Sequence, residues 1–176
     1  SKEQIMYLVK CLEKLGTMAD IIIVDTGAGV SDSVMEFVLA SPEVLLVTTP
    51  DPTSLTDSYS LLKALHHHSD FAKNDSQIYV VCNRVTNARE GKLLFEKLDS
   101  VVKQFLAGKI QYLGSVQQDG ALEKAVRQQK PVSLCSPSSK SAESFEAIAK
   151  QLLNDSDTAV TTKWGITKLI NKFMNR

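Results

Sequence analysis

The sequence predicts an α/β fold, a doubly wound, mostly parallel sheet flanked by helices. Three observations point there. Short apolar runs without polar alternation recur at 21–24, 44–47 and within QIYVVCNRV, which is the pattern of strands covered on both faces. Segments of helical spacing separate these runs, as parallel crossovers require. The strand ends Asp25, Thr48, Asn83 and Val116 are then delivered to one rim, the edge where open α/β sheets bind ligands.

The elements follow in order. Ile5, Leu8, Val9, Leu12 and Leu15 give a first helix ending near Gly16, and Ile21–Val24 a buried strand. In SDSVMEFVLASPE, Ser31 or Asp32 is the N-cap of a short helix with Val34, Phe37 and Val38 inward. Val44–Val47 forms the next strand, Thr48–Pro52 a loop stiffened by two prolines, and Leu55–Leu65 a helix. The pattern repeats: a strand in QIYVVCNRV ending at Asn83, an amphipathic helix in REGKLLFEKLDSVVKQFL, a short strand IQYLGSV, and a helix GALEKAVRQQ. PVSLCS reads as a loop or edge strand, and SAESFEAIAKQLL as the closing helix. These elements make one partial domain over 1–153. Polar, small residues at 154–162 read as a linker, and 163–176 as a separate amphipathic helix.

With 176 residues, 43% hydrophobic and 23% charged, the chain is long enough to bury a core. Twenty basic against twenty acidic residues leave no net charge to steer it toward nucleic acid, so no specific nucleic-acid partner is expected. Cys11, Cys82 and Cys135 are odd in number and far apart, as reduced thiols of a cytoplasmic protein would be. No apolar run reaches the ~20 residues that span a bilayer. Ser1 enters helical periodicity almost at once, so the chain is expected to start inside a larger protein.

Asp25 closes an apolar strand and is followed by Gly27 and Gly29, whose freedom lets backbone N–H groups approach an anion. The same residues also suit a capped turn. His66–His68 are adjacent on a helix and point about 100° apart, so they do not converge on a metal and read as a solvated helix end.

Four stretches resemble one family in order and spacing. DIIIVDTGAG resembles the Walker B strand and switch II of the MinD/ParA group of deviant P-loop ATPases. VTTPDPTSLTDSYSLLK, VVCNRVTNAREG and YLGSVQQDGALEKAVRQQKPV are similar to segments of its flagellar-number subgroup, known as FlhG, FleN or YlxH. The resemblance implies the P-loop NTPase fold of MinD type, with ATP and Mg²⁺ as cofactors of the full-length protein. It implies that Asp25 holds Mg²⁺ through a water, with the backbone of Gly27 to Gly29 sensing the γ-phosphate. Mg²⁺ prefers oxygen ligands and keeps much of its water shell. It also implies that Asn83 reads adenine, aided by Arg84, Gln117 and Asp119; an amide can donate to N7 and accept from the exocyclic amine. Without the resemblance, CNR reads as a strand-ending Asn beside a solvated Arg.

Two departures stand out. The family's Walker A loop, a KGGxGKT-type segment upstream of Walker B, is absent, and EKLGTMAD does not replace it, so this chain alone is expected to be inactive. The first strand, which sits inside the family sheet, goes with it. Gln117 stands where the family usually has Pro.

In KWGITKLINKFMNR, Ile166, Leu169, Ile170, Phe173 and Met174 form an apolar stripe, with Lys168, Lys172 and Arg176 opposite and Trp164 at one end. Such a helix fits an anionic membrane surface or, alternatively, packs on the core. The resemblance favours the membrane. It implies an ATP-dependent homodimer, peripheral attachment to the inner face of the cell membrane, and partnership with an FlhF-like GTPase and flagellar switch components. Two rival readings are a nucleotide-independent membrane adaptor and a ParA-type DNA partitioning ATPase.

Overall fold

Three parallel strands carry the fold: β1 (Glu43–Thr48), β2 (Gln77–Val85) and β3 (Gln111–Gln117), ordered β1-β2-β3. In the computed structural model, residues 7, 11, 14–68, 71, 76–106 and 108–156 are described. The helices are α1 (Asp32–Ala40), α2 (Pro52–His67), α3 (Ala88–Leu106), α4 (Gly120–Arg127), α5 (Val132–Cys135) and α6 (Lys140–Ser156). Residues 14–18 are also helical.

Alternation along β2 divides the core in two. Ile78, Val80 and Cys82 join Val44 and Leu46 of β1 on one face, where Leu62 and Leu65 of α2 and Leu94, Leu98 and Val102 of α3 cover them. Tyr79 and Val81 point the other way, with Leu113 and Val116 of β3, and meet Leu122 of α4 and Ile148 and Leu152 of α6. Helices on both faces make the sheet doubly wound, as the apolar runs predict. Burial lifts the Cys82 thiol to a pKa of about 11, which keeps it protonated.

Close approach of α3 to β3 depends on Gly91. A Cβ there would lie 2.6 Å from Ser115 Cβ and 2.9 Å from Ser115 Oγ, neither of which can retreat far from its strand. Gly91→Ala is therefore expected to cost about 1–3 kcal/mol through overpacking. Thermal denaturation checks it: a clear fall in Tm is expected, and an unchanged Tm would contradict this packing.

Several boundaries differ from the sequence expectation. α2 starts at Pro52 rather than Leu55, because the Asp51 carboxylate accepts the Thr53 N–H at 2.8 Å and Pro52 fits the first helical position. β2 ends at Val85, not Asn83, and β3 at Gln117, not Val116. The PVSLCS stretch is neither loop nor edge strand over its middle: Val132–Cys135 is a helical turn whose Val132 packs with Ala125 and Ala142. α6 runs to Ser156, past residue 154 where the linker was expected to start. His66 is not simply solvated. It is half-buried, its Nδ1 lies 2.7 Å from the Leu62 carbonyl, and its ring meets Phe71 edge-on at 5.3 Å.

The largest correction concerns Ile21–Val24, which is not a strand. Residues 21–24 join no ladder, and Ile21, Ile23 and Val24 are exposed. β1 is an edge strand, and its Leu45 and Val47 are exposed as well. The physical reason is a missing partner. Among the described residues no segment lies in a ladder with 21–24. Strand propensity alone does not hold an extended segment in place without cross-strand contacts.

Candidate functional site

The C-terminal ends of the three strands bring three loops together. At the end of β1, the Thr49 N–H donates to Ser54 Oγ at 3.0 Å, and the buried Thr48 hydroxyl lies 3.4 Å from that same oxygen. Asp51 accepts from both the N–H and the hydroxyl of Thr53. The Thr53 hydroxyl, followed by its N–H, holds the Asp51 carboxyl below its usual pKa, and the charge of Arg84 adds a smaller effect in the same direction.

The second loop opens with a bulge. Asn83 pairs with Val116 and Val85 with Gln117, leaving Arg84 as the extra residue, exposed and with φ +57°. A left-handed non-glycine residue is unusual and is held here by the Val85 pairing and by Asn83 Oδ1, which accepts the Arg84 N–H at 2.9 Å. The bulge re-aims the end of β2. Asn83 stays half-buried opposite Val116, and its Oδ1 keeps a second lone pair while Nδ2 supplies two donors.

Gln117 ends β3, and the Gln118 N–H donates to the Val85 carbonyl at 2.8 Å, which fastens the third loop to the second. Gln117 also borders an open groove of about 610 Å³ between β3 and α6. Asp119 caps α4. Its Oδ1 accepts the Ala121 N–H at 2.9 Å, and its Oδ2 accepts from the N–H and hydroxyl of Ser141. Those backbone bonds, Ala121 first, hold its carboxyl below the ordinary range.

The structure thus brings Asn83, Arg84, Gln117 and Asp119 to one rim. Asp119 has both oxygens engaged within the fold, so Asn83, Arg84 and Gln117 are the side chains with capacity left for a ligand. Asp25, Gly27 and Gly29 are not brought there: all three are exposed, on the segment that joins no ladder. Gly29 has φ +99°, which accounts for its glycine, but a Cβ at Gly27 or Gly29 would meet nothing within 4 Å. Trp164, Ile166, Lys168, Leu169, Ile170, Lys172, Phe173, Met174 and Arg176 lie outside the described residues.

The rim offers amide donors and acceptors for a purine base. No cradle of backbone N–H groups surrounds Asp25, so phosphates and Mg²⁺ have no formed site among the described residues, which also hold no cluster of His, Cys, Asp and Glu suited to a metal. Sequence reasoning missed the Thr49, Asp51, Thr53 and Ser54 network, although Asp-Pro-Thr before a helical run is an N-cap signature that could have revealed it. It also missed the bulge at Arg84, for which no sequence signal exists.

Known proteins extend this picture. No family model matches the chain. The antiactivator FleN of Pseudomonas aeruginosa is 37% identical over 145 residues, covering 82% of this chain and 50% of FleN. The flagellum site-determining protein YlxH of Helicobacter pylori is 33% identical over 140 residues, covering 79% of this chain and 46% of YlxH. The chain therefore spans about half the length of these relatives. A ParA family ATPase from Chlorobium tepidum shares the fold with a TM-score of 0.62 at 22% identity, covering 84% of this chain and 56% of that one. By these matches the chain is homologous to about half of the FleN and YlxH flagellar regulators, and it shares the fold of a ParA family ATPase.

Proposed function

We propose that this chain is the C-terminal part of a MinD-like ATPase that regulates flagellar number and placement through ATP-dependent dimerisation and membrane attachment. The observation that carries the reading is the rim itself: in a chain homologous to FleN and YlxH, Asn83 pairs with Val116 and Gln117 with Val85 across the bulge, so both amides lie at the C-terminal ends of neighbouring strands. In this reading Asn83 and Gln117 take the adenine, Arg84 packs beside it, and Asp119 shapes their loop. Asp25 holds Mg²⁺ through a water, and Gly27 to Gly29 sense the γ-phosphate, only once a phosphate-binding strand gives residues 21–24 a ladder partner. The fragment alone is catalytically silent. Partners on this reading are a second copy of the protein, an anionic membrane surface, an FlhF-like GTPase and flagellar switch components. The protein then cycles between the cytoplasm and the inner face of the cell membrane.

No described helix is long and apolar enough to cross a membrane, so attachment falls to residues 163–176. At ~1 kcal/mol per basic residue near anionic lipid, three or four charges supply roughly 3–4 kcal/mol, enough only for weak attachment. Two tails in one dimer raise avidity by orders of magnitude, which makes dimerisation a membrane switch.

Vesicle co-sedimentation tests the attachment. The chain is expected to bind anionic vesicles and to bind neutral ones much less, and Phe173→Glu is expected to abolish binding by placing a charge in the inserted face. Asn171→Ser should matter little. Equal sedimentation of the full chain and of one ending at Thr162 would show the tail to be a structural helix.

A further inference from the structure

Asp119 reaches two helices at once. Its Oδ1 starts α4 through the Ala121 N–H, while its Oδ2 accepts the Ser141 N–H at 3.1 Å and the Ser141 hydroxyl at 3.0 Å in the first turn of α6. Ser141 is fully buried, and its hydroxyl lies 3.3 Å from that of Ser139. Bonds to an ionised carboxylate are stronger than neutral ones, and a buried hydroxyl that loses its acceptor carries a desolvation cost. One residue before Asp119, the Gln118 N–H holds the Val85 carbonyl. The end of β2, the β3–α4 loop and the start of α6 therefore form one chain of bonds. A second contact fixes the middle of α6 to the same strand, where Ile148 packs against Gly114 so closely that a Cβ there would lie 2.7 Å from Ile148 Cγ1.

We propose that Asp119 is a positioning residue for the base-facing rim, holding Gln117 and Gln118 in place through its link to Ser141 on α6. The proposal rests on the reading of that rim as the base end of a nucleotide site. It makes the rim depend on a helix that touches no base. Because α6 leads in sequence to residues 157–176, the joint stands between the rim and the tail.

Amide hydrogen exchange on the 176-residue chain tests this without any nucleotide, so its failure leaves the nucleotide reading standing. Ser141→Ala removes one bond at the α6 end only. Asp119→Asn keeps an oxygen for the Ala121 N–H but turns a donor toward Ser141. Both variants are expected to speed exchange of the Gln118 amide about five- to tenfold, the effect of losing one charge-assisted bond, while the α4 amides stay near wild type. Gln118 exchange within about twofold of wild type in both variants would overturn the proposal, reducing the Asp119–Ser141 bonds to a local cap. A change confined to α4 would overturn it too.

Discussion

A form of this protein extended upstream through a Walker A segment is expected to hydrolyse ATP slowly, and the 176-residue chain to show no turnover above background. The difference is expected to be the largest single effect in this protein, because phosphoryl transfer is catalysed almost entirely by positioning and charge stabilisation. The described residues show no formed site for either at the phosphate end. Residues 21–24 join no ladder, Gly27 and Gly29 have open space where a cradle would stand, and the edge of β1 carries exposed Leu45 and Val47. An added strand and loop are expected to pair with this edge in the extended form and to fix the position of Asp25. In the extended form, Asp25→Ala is expected to lower turnover at least about tenfold, since metal positioning supplies several kcal/mol of transition-state stabilisation. Phosphate release assays read both results. Turnover by the unextended chain would contradict the account, and wild-type rates in Asp25→Ala would remove Asp25 from the mechanism.

The same edge shows where sequence reasoning reached its limit. The apolar runs Val44–Val47 and QIYVVCNRV became β1 and β2 because each found a neighbour in this chain: β2 pairs on both sides, and β1 pairs with β2. Ile21–Val24 carries an equally strong pattern and joins no sheet. Periodicity reports what a segment prefers, whereas pairing requires a partner, and none stands beside 21–24 among the described residues. The rim was legible in part. The ends of β1, β2 and β3 lie on one side, as parallel pairing requires, and there Asn83 pairs with Val116 and Val85 with Gln117. The bulge that turns Arg84 to φ +57° depends on the Val85–Gln117 pairing across two strands, so no local pattern encodes it. Asp119 stood out by its place in a motif, but its bonds to Ser141 cross 22 residues of sequence and emerge only from the fold.

The central claim is that the rim reads a purine base through Asn83. Removing the amide in the extended form takes away one or two hydrogen bonds to adenine, together worth about 1–3 kcal/mol of discrimination. Guanine presents a carbonyl where adenine carries its exocyclic amine, so it cannot give the donor that Asn83 Oδ1 accepts and loses less. Bound-nucleotide titration of wild type and Asn83→Ala with ATP and GTP is the most direct test. ATP binding is expected to weaken by about five- to a hundredfold and GTP binding by distinctly less, narrowing the preference between them. Equal losses for both nucleotides would show that Asn83 only terminates its strand and holds the Arg84 bulge, and would contradict the account.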